Sequence, residues 1–384
     1  MRVLGSCSLG GAGHLGPLSG PLRAAQRAGH EVRVVAPPTM ADMVASAGFE
    51  WAGGGVPPED EIRPIREQIP VLPAADASML GDRELFGRLA THWMLPPVRE
   101  VAADWRPDLI LRDPCEHASA IVAAELDLPV AQVGISVAVA EWRAIGRSAP
   151  VIDVHHPGAS HLEWAMPYLT RFPASLDPSR FATTLRYHVP PPAPSGLLPD
   201  WWGGSAAPLV YVTFGTVLGW MSYAADVYAT ALAAMADLDA RVLLTVGHQF
   251  DATLLGELPP NVHVEAWVDQ VDVFQEASVV VTHGGSGTVY GALAAGLPVV
   301  GMPVFADQFT NSRIVAAAGA GLVVEREQDP AGRRQVIGSE AAPELTAAVR
   351  RVLAEPSYTR RAAEIAAEMA ATPSVDDVVA GLLG

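Results

Sequence analysis

The chain has 384 residues, 50% of them hydrophobic and 17% charged, so its composition allows two or three globular domains and excludes a disordered protein. The formal net charge of −17 argues against nucleic acid and an anionic membrane as partners, although a helix N-terminus can still bind one small anion locally. The two cysteines, Cys7 and Cys115, follow no metal or redox spacing, and no signal peptide or membrane-spanning stretch is evident, so we expect a cytoplasmic protein.

The first half of the chain alternates short apolar runs with helical patterns. Strands are predicted at residues 3–7, 32–36, 109–111 and 130–133, and helices at residues 17–28 and 118–125. Alternation of this kind predicts a parallel α/β sheet with right-handed crossovers.

A segment rich in proline and tryptophan separates this half from the rest of the chain. We assign residues 1–190 to an N-terminal domain, 191–207 to a linker and 208–365 to a C-terminal domain. A last helical segment, 366–384, is expected to pack back on the N-terminal domain. Strand–helix alternation resumes in the C-terminal domain, with strands predicted at residues 209–214, 241–246, 262–266, 279–282 and 299–301. The predicted fold class is α/β, with two Rossmann-like, doubly wound parallel sheets facing each other across a cleft.

A glycine-rich turn follows the strand predicted at residues 279–282. The backbone can approach a ligand closely at three glycines, Gly284, Gly285 and Gly287. Either Ser286 or Thr288 is predicted to cap the next helix, whose N-terminus favours a phosphate group, and His283 can donate a further hydrogen bond. The alternative interpretation is a tight strand–helix turn that binds no ligand.

Three further features lie at the carboxyl ends of predicted strands in the same domain, where open parallel sheets bind ligands. Trp267 can stack on a nucleotide base, and the alternative is a tryptophan of the core. Asp307 and Gln308 can bind neighbouring sugar hydroxyls, and the alternative is a helix N-cap. Gly215 and Thr216 can contact the same phosphates. One domain thus offers contacts for a base, a diphosphate and a sugar.

Three motifs of this domain follow one another: Trp-x-x-Gln at 267–270, His-x-Gly-x-Gly-Thr at 283–288 and Pro-x-x-x-Asp-Gln-x-x-Asn at 303–311. In this order they resemble the donor-binding block of GT-B-fold, family 1 nucleotide-sugar glycosyltransferases, especially actinobacterial enzymes that decorate natural products. The resemblance implies that Trp267 stacks on the base and that Val268 meets it through its backbone. It implies that the sugar is bound by Asp307 and Gln308, and that the diphosphate is surrounded by Gly215, Thr216, His283, Gly285, Ser286, Gly287 and Thr288.

The donor and the need for cofactors are also implied by the resemblance. Where plant members carry a glutamate that binds the ribose hydroxyls, this chain has Gly291. Because the deoxyribose of thymidine lacks one of those hydroxyls, a TDP-sugar is favoured over a UDP-sugar as the donor. The family needs no cofactor and no bound metal, because helix dipoles and hydrogen-bond donors neutralise the leaving diphosphate.

The N-terminal domain contains Gly-x-Gly-x-x-Gly at residues 11–16, which by itself is typical of a dinucleotide-binding turn. The acidic residue that this fingerprint requires at the end of the second strand is missing, so NAD(P) binding is not favoured. Gly-His-x-x-Pro at residues 13–17 resembles the N-terminus of the glycosyltransferases, in which the histidine, here His14, is the catalytic base. Neutral imidazole suits the removal of a proton from an acceptor hydroxyl.

Asp113 is the expected partner of His14. It follows the strand predicted at 109–111, counted as the fourth of the sheet, which in doubly wound order lies beside the first strand. The two side chains should therefore emerge side by side as a His–Asp dyad, and the resemblance implies the same pair. The alternatives are a polar residue at a helix N-terminus for His14 and a helix cap for Asp113.

Aromatic residues of the N-terminal domain suggest an acceptor pocket. The stretches 51–97 and 136–180 are predicted to be rich in loops. By position, Trp93, Trp142 and Trp164 would line the pocket of a small hydrophobic acceptor, and packing in the core is the alternative.

The predicted function is that of an inverting, metal-independent glycosyltransferase, which moves a deoxysugar from a TDP- or UDP-sugar to a hydroxyl of a natural-product acceptor. The alternatives are a nucleotide-sugar epimerase of the same architecture and a non-catalytic protein that binds donor or aglycone. The sequence does not specify the acceptor, the exact sugar or the attacking atom. It is compatible with either a monomer or a homodimer.

Overall fold

The structure, a computed structural model, describes residues 1–191, 193–196, 198–326, 330–333 and 338–384. These residues form two compact units. The first comprises Met1–Val189, Ala331–Arg333 and Thr372–Gly384, and the second comprises the described parts of Pro190–Pro330 and Arg334–Ala371. The segment predicted as a linker, 191–207, belongs to the second unit, and Pro192 and Leu197 within it lie outside the described residues.

The first unit is built on a seven-stranded parallel sheet. Its strands are β1 (Arg2–Ser6), β2 (Glu31–Val35), β3 (Glu50–Trp51), β4 (Leu109–Arg112), β5 (Val130–Val133), β6 (Tyr168–Thr170) and β7 (Thr184–Arg186). Their order is β3-β2-β1-β4-β5-β6-β7, so strand addition changes direction between β1 and β4. Ligands of open parallel sheets bind beyond the carboxyl ends of the strands at such a reversal.

Helices cover both faces of this sheet. They are α1 (Ala12–Arg27), α2 (Ala41–Ser46), α3 (Glu59–Gln68), α4 (Ala74–Met79), α5 (Thr91–Trp105), α6 (Ala118–Leu126), α7 (Ala138–Ile152) and α8 (Ala159–Ala165). A π-helical segment, Leu80–Ala90, joins α4 to α5. Because successive strand residues point to opposite faces, Val3 shares an apolar cluster with α1, whereas Leu4 shares one with α5 and α6. Both faces of the central strands are therefore buried.

The second unit contains a six-stranded parallel sheet. Its strands are β8 (Leu209–Thr213), β9 (Arg241–Thr245), β10 (Val262–Glu265), β11 (Ala277–Thr282), β12 (Val299–Gly301) and β13 (Gly321–Val323), in the order β10-β9-β8-β11-β12-β13. Its helices are α9 (Ala224–Met235), α10 (Gln270–Glu276), α11 (Ser286–Ala294), α12 (Gln308–Ala317), α13 (Ala342–Ala354) and α14 (Pro356–Ala370). The reversal in this sheet lies between β8 and β11.

The last helix, α15 (Val375–Leu383), belongs to the first unit, where it packs against α1. The chain returns to that unit at Thr372 rather than at residue 366. The reason is that α14 packs on α11 and buries Tyr358, Ala362 and Ile365, which holds it in the second unit.

Two predictions about local structure are wrong. Helix α1 begins at Ala12 rather than at residue 17, and the stretch 51–97 consists mainly of helices rather than loops. The stretch 136–180 combines α7 and α8 with loops at 153–158 and 171–180, so its predicted loops are present. Glycine and proline lower helix propensity, and α1 contains both types while α5 contains Pro96 and Pro97. Burial of side chains such as Leu15 and Met94 against the sheet outweighs that penalty.

Within the described residues, no helix has both the length and the apolar character needed to cross a membrane.

Candidate functional site

The structure brings His14 and Asp113 together at the carboxyl edge of the first sheet. His14 lies in the first turn of α1, and Asp113 directly follows β4, which pairs with β1. His14 Nδ1 lies 3.3 Å from Asp113 Oδ2, and the Asp113 side chain is completely buried. The other contacts of this carboxylate come from the backbone, with Ser8 N at 3.2 Å and Cys115 N at 2.6 Å.

Electrostatics keep this carboxylate ionised. Burial acts to raise the pKa of Asp113, but the charge and hydrogen bond of His14, followed by the backbone N–H of Cys115, outweigh burial and lower the pKa. A carboxylate beside Nδ1 favours the tautomer with its proton on Nδ1, which leaves the lone pair of the ring on Nε2. The pair can therefore accept a proton and stabilise the resulting imidazolium.

The position of the His14 ring depends on two residues that the sequence did not single out. Gly10 has a φ of +135°, and a Cβ atom there would lie 2.1 Å from Cδ2 and 2.3 Å from Nε2 of His14. Phe86, from the π-helical segment, stacks on the imidazole with ring centroids 5.8 Å apart. The two successive glycines after β1, Gly10 and Gly11, could have indicated a close approach of the backbone to a side chain at this turn. No feature of the sequence indicated the contact with Phe86.

A buried ionic network supports the turn that carries Asp113. Arg112 Nη2 lies 3.1 Å from Glu163 Oε1, and both side chains are fully buried. The same guanidinium donates to the carbonyl oxygen of Glu116 at 2.7 Å, while the Glu116 carboxylate accepts from Ser6 Oγ at 2.8 Å. This network joins the turn to β1 and α8, and breaking a buried ion pair typically costs about 3–5 kcal/mol.

The three tryptophans predicted near an acceptor occupy two different clusters. Trp142 and Trp164 lie together with ring centroids 5.4 Å apart, and Phe181 meets Trp142 edge-on at 5.3 Å. Trp93 instead packs in the apolar cluster that contains Phe86 and therefore lies on the His14 side of the unit.

Glu141, in the first turn of α7, is a buried acid that the sequence did not single out. Its Oε1 accepts hydrogen bonds from the backbone N–H groups of Ile135 and Ser136, both at 2.7 Å. Burial raises the pKa of Glu141 to about 8, although hydrogen bonds from Tyr168 and the backbone act against the shift, and Asp177 adds to it. At neutral pH this carboxyl group is therefore mostly protonated.

Stability should depend on the ionisation of Glu141. Because the folded pKa of about 8 lies above the reference value of 4.5, the protonated carboxyl favours folding below pH 4.5, and this contribution is lost as the pH rises through 8. From pH 6 to pH 8 we expect the Tm of the wild type to fall relative to that of Glu141→Gln by roughly 5 °C. Glu67→Gln, at an exposed position on α3, is the control. Parallel melting curves of wild type and Glu141→Gln across this range would contradict the prediction.

In the second unit, His283 is enclosed by two glycines at the end of β11. A Cβ atom on Gly215 would lie 2.8 Å from Cε1 of the ring, and one on Gly285 would lie 2.4 Å from Nε2. Burial lowers the pKa of His283 to about 4, although the charge of Asp307 and a backbone hydrogen bond to Thr213 act to raise it. The imidazole is therefore neutral at pH 7 and can both donate and accept a hydrogen bond.

The helix after this turn is not capped as predicted. Gly285 is the N-cap residue of α11 and supplies no side-chain cap. Ser286 Oγ donates to Asp307 Oδ2 at 3.1 Å, and Thr288 Oγ1 accepts from Gln270 Nε2 at 3.4 Å. The two hydroxyls lie inside the first turn, where partners from neighbouring segments compete with the local backbone. The first N–H groups of α11 keep the positive end of the helix dipole, which suits an anion.

Asn311 joins the glycine-rich turn to Asp307. Its Nδ2 donates to Gly284 O at 3.0 Å, to Ser286 Oγ at 3.0 Å and to Asp307 Oδ2 at 2.9 Å, and the side chain is almost fully buried. Asp307 is the N-cap residue of α12 but does not cap it, because its carboxylate faces this turn. Gln308 is buried, and its Oε1 accepts from the N–H groups of the two residues that follow Pro303, Val304 and Phe305.

The remaining predicted residues lie at the same edge of the second sheet. Trp267, two residues after β10, is 59% exposed, which contradicts the alternative of a core tryptophan and leaves its ring accessible for stacking. Val268 follows it and is half-buried, and Thr216, just after β8, is exposed. A Cβ atom on Gly291 would lie 2.8 Å from Cε2 of Phe274, so an aromatic ring fills the space where a longer side chain would begin.

Two family models match the chain. Erythromycin biosynthesis protein CIII-like, N-terminal domain, matches residues 23–215, and erythromycin biosynthesis protein CIII-like, C-terminal domain, matches residues 229–383. The chain is 31% identical over 342 residues to the L-demethylnoviosyl transferase of Streptomyces niveus, a match that covers 87% of each protein. It is 34% identical over 307 residues to the elloramycin glycosyltransferase ElmGT of Streptomyces olivaceus, covering 78% of this chain and 72% of ElmGT.

A solved structure also resembles the whole chain. The spinosyn rhamnosyltransferase SpnG has a TM-score of 0.80 at 25% identity, with 100% of both chains covered. SpnG in complex with thymidine diphosphate has a TM-score of 0.77 at the same identity and coverage.

Proposed function

Because the chain belongs to the erythromycin biosynthesis protein CIII-like family and is a glycosyltransferase of natural-product pathways, we propose that it transfers a deoxysugar from a TDP-sugar to a hydroxyl of a small hydrophobic acceptor, with inversion. The GT-B fold class predicted from the sequence is confirmed by the two parallel sheets and by the similarity to SpnG. The observation that carries the proposal is the 3.3 Å contact between His14 and buried Asp113.

The proposed chemistry is a direct displacement. His14 takes the proton of the acceptor hydroxyl through Nε2 while that oxygen attacks the anomeric carbon of the donor. The bond from this carbon to the diphosphate breaks, and the electron pair leaves with the nucleoside diphosphate. Asp113 stabilises the imidazolium that forms. One displacement on an α-linked donor gives a β-glycoside.

The residues of the second unit would bind the donor without a metal. Neutral His283 can donate a hydrogen bond to the diphosphate, and the N-terminus of α11 faces the developing negative charge. In the same proposal Trp267 stacks on the base and Val268 meets it through its backbone. Asp307 and Gln308 bind the sugar, with the Asp307 carboxylate oriented by Asn311.

Preference for a thymidine donor is supported by the surroundings of Gly291. The ring of Phe274 fills the space into which a side chain at this position would extend, so a glutamate that reached ribose hydroxyls would displace that ring. A deoxyribose needs no such partner. The structure of SpnG with thymidine diphosphate points to the same nucleotide.

The nucleotide preference can be measured by thermal shift. We expect TDP to raise the Tm of the second unit by several degrees, since a ligand at about 100 times its Kd adds about 2.7 kcal/mol to stability. UDP at the same concentration should give a clearly smaller shift. Equal shifts with both nucleotides would contradict the thymidine preference, and no shift with either would contradict nucleotide-sugar binding.

Transfer itself is tested with a TDP-deoxysugar and a panel of polyketide and aromatic acceptors that carry hydroxyl groups. Mass spectrometry should show one added sugar, and the anomeric proton coupling of the product should show inversion. Consumption of the donor in buffer without acceptor, with an epimerised sugar as the product, would instead identify an epimerase.

The space provided by Gly10 should be needed for activity. Gly10→Ala places a methyl group against the His14 ring and is expected to lower kcat by about tenfold or more, because small displacements of a base are costly. Gly11→Ala is a matched control, since φ at Gly11 is +68° and its Cβ would meet only Met43, at 3.9 Å. Both variants should have a lower Tm than the wild type. Only Gly10→Ala should also have a kcat that falls further than its loss of stability explains. Equal kcat in the two variants would contradict the assignment.

A further inference from the structure

Three potential metal ligands of different chemistry converge at the carboxyl edge of the first sheet. His14, Asp113 and Cys115 each offer one ligand atom, and these atoms all lie within 4.8 Å of one another. In a tetrahedral zinc site, bond lengths of 2.0–2.3 Å place neighbouring ligand atoms about 3.3–3.8 Å apart. His14 Nδ1 and Asp113 Oδ2, at 3.3 Å, already have this separation.

The local charge favours a cation at this position. Asp113 is completely buried, and one of its carboxylate oxygens lies within 4.8 Å of the Cys115 sulfur. A buried carboxylate attracts a divalent cation. Cys115 as a residue is partly exposed, whereas Cys7 is completely buried and is not part of the three-ligand cluster.

The ligand set identifies the class of metal. A thiol, an imidazole and a carboxylate together suit Zn²⁺, which accepts sulfur, nitrogen and oxygen ligands, and do not suit Mg²⁺, which prefers oxygen alone. Three protein ligands leave the fourth tetrahedral position for water.

We propose that His14, Asp113 and Cys115 form an inhibitory Zn²⁺ site within the acceptor-activating dyad. Binding converts the Cys115 thiol to a thiolate and releases one proton to solvent, so the apparent affinity should rise with pH. Coordination through His14 Nδ1 moves the ring proton from Nδ1 to Nε2, so the zinc-bound imidazole has no free lone pair to accept the acceptor proton. A zinc-bound Asp113 cannot stabilise the imidazolium. The inhibitory part of this inference rests on the proposed function, whereas the metal site itself does not.

Metal binding is measured first without any activity assay. Titration of the full-length protein with Cd²⁺ should produce a thiolate-to-metal charge-transfer band in the ultraviolet, at a stoichiometry of one ion per chain. Cys115→Ser should abolish the band, and Cys7→Ala should retain it. By thermal shift, Zn²⁺ should raise the Tm of the wild type and Mg²⁺ should not. Competition with a zinc-binding dye should show an apparent Kd raised at least about tenfold in both His14→Ala and Cys115→Ser.

Inhibition is then measured as the ratio of transfer rates in Zn²⁺ and in EDTA. This ratio should be low for wild type and Cys7→Ala and close to one for Cys115→Ser. A wild-type protein without the Cd²⁺ band, or a band lost in Cys7→Ala but kept in Cys115→Ser, would overturn the site. Metal binding by a protein that transfers no sugar would support the site and count against the proposed function alone.

Discussion

Replacement of His14 by alanine is expected to lower kcat for sugar transfer by about 10²–10⁴-fold, the usual contribution of a positioned general base. The physical reason is that an acceptor hydroxyl is a weak nucleophile until its proton is removed as it attacks. His14 is the residue whose imidazole contacts a buried carboxylate at the strand reversal of the first sheet. The measurement is kcat with a TDP-sugar and a hydroxyl acceptor, in buffer that contains EDTA.

Two controls separate loss of the base from other causes. The thermal shift with TDP should be unchanged in His14→Ala, because the proposed donor residues all belong to the second unit and His14 belongs to the first. The Tm without ligand should fall, because the side chain of His14 is only 14% exposed and its removal leaves the buried Asp113 carboxylate without the imidazole. The kcat values are therefore compared at a temperature well below the Tm of the variant. Wild-type turnover by the folded variant would exclude His14 as the base.

Asp113 should act only through His14. Asp113→Asn removes the charge that stabilises the imidazolium, and we expect kcat to fall and the pH–rate profile to shift. The double variant His14→Ala/Asp113→Asn should be nearly as active as His14→Ala alone, since residues that act as a unit are strongly non-additive. Additive losses would indicate that Asp113 has a separate role.

Replacement of Asn311 by alanine is expected to weaken donor binding by about 5- to 150-fold, which corresponds to about 1–3 kcal/mol for buried groups left without a partner. Asn311 donates to a turn carbonyl at Gly284 and to Ser286 and Asp307, so its loss releases both the turn and the carboxylate that we propose binds the sugar. The Kd for TDP and the KM for the donor should both rise. The KM for the acceptor should change little.

Asn261 provides a matched control at the opposite edge of the same sheet. It precedes β10, and its Nδ2 also donates to three oxygens, the carbonyls of Met235, Leu238 and Ala240. Asn261→Ala should therefore lower the Tm about as much as Asn311→Ala does, without a change in the donor KM. If both variants raise the donor KM equally, Asn311 has no specific role in donor binding.

The sequence by itself determined the fold class and the order of the motifs that we propose bind the donor. Alternating apolar runs and helical patterns reflect local propensity and burial, which a single sequence displays, so most central strands were placed to within a residue or two. The motifs at 267–311 have fixed spacing, because a strand end, a tight turn and a helix start are adjacent in sequence as well as in space. The prediction was wrong at the start of α1 and in the stretch 51–97, because tertiary burial there outweighed the low helix propensity of glycine and proline.

Only the tertiary structure decided which distant side chains meet, because such contacts depend on how crossover helices pack on a sheet and where each side chain then points. It showed the ring of His14 against Gly10 and Phe86, Asn311 between the turn and Asp307, and Cys115 beside the dyad. In the structure, the hydroxyls of Ser286 and Thr288 do not cap the local helix but form hydrogen bonds with side chains on neighbouring segments. A hydroxyl can bond to a backbone N–H close in sequence or to a polar side chain close only in space, and sequence spacing indicates only the first.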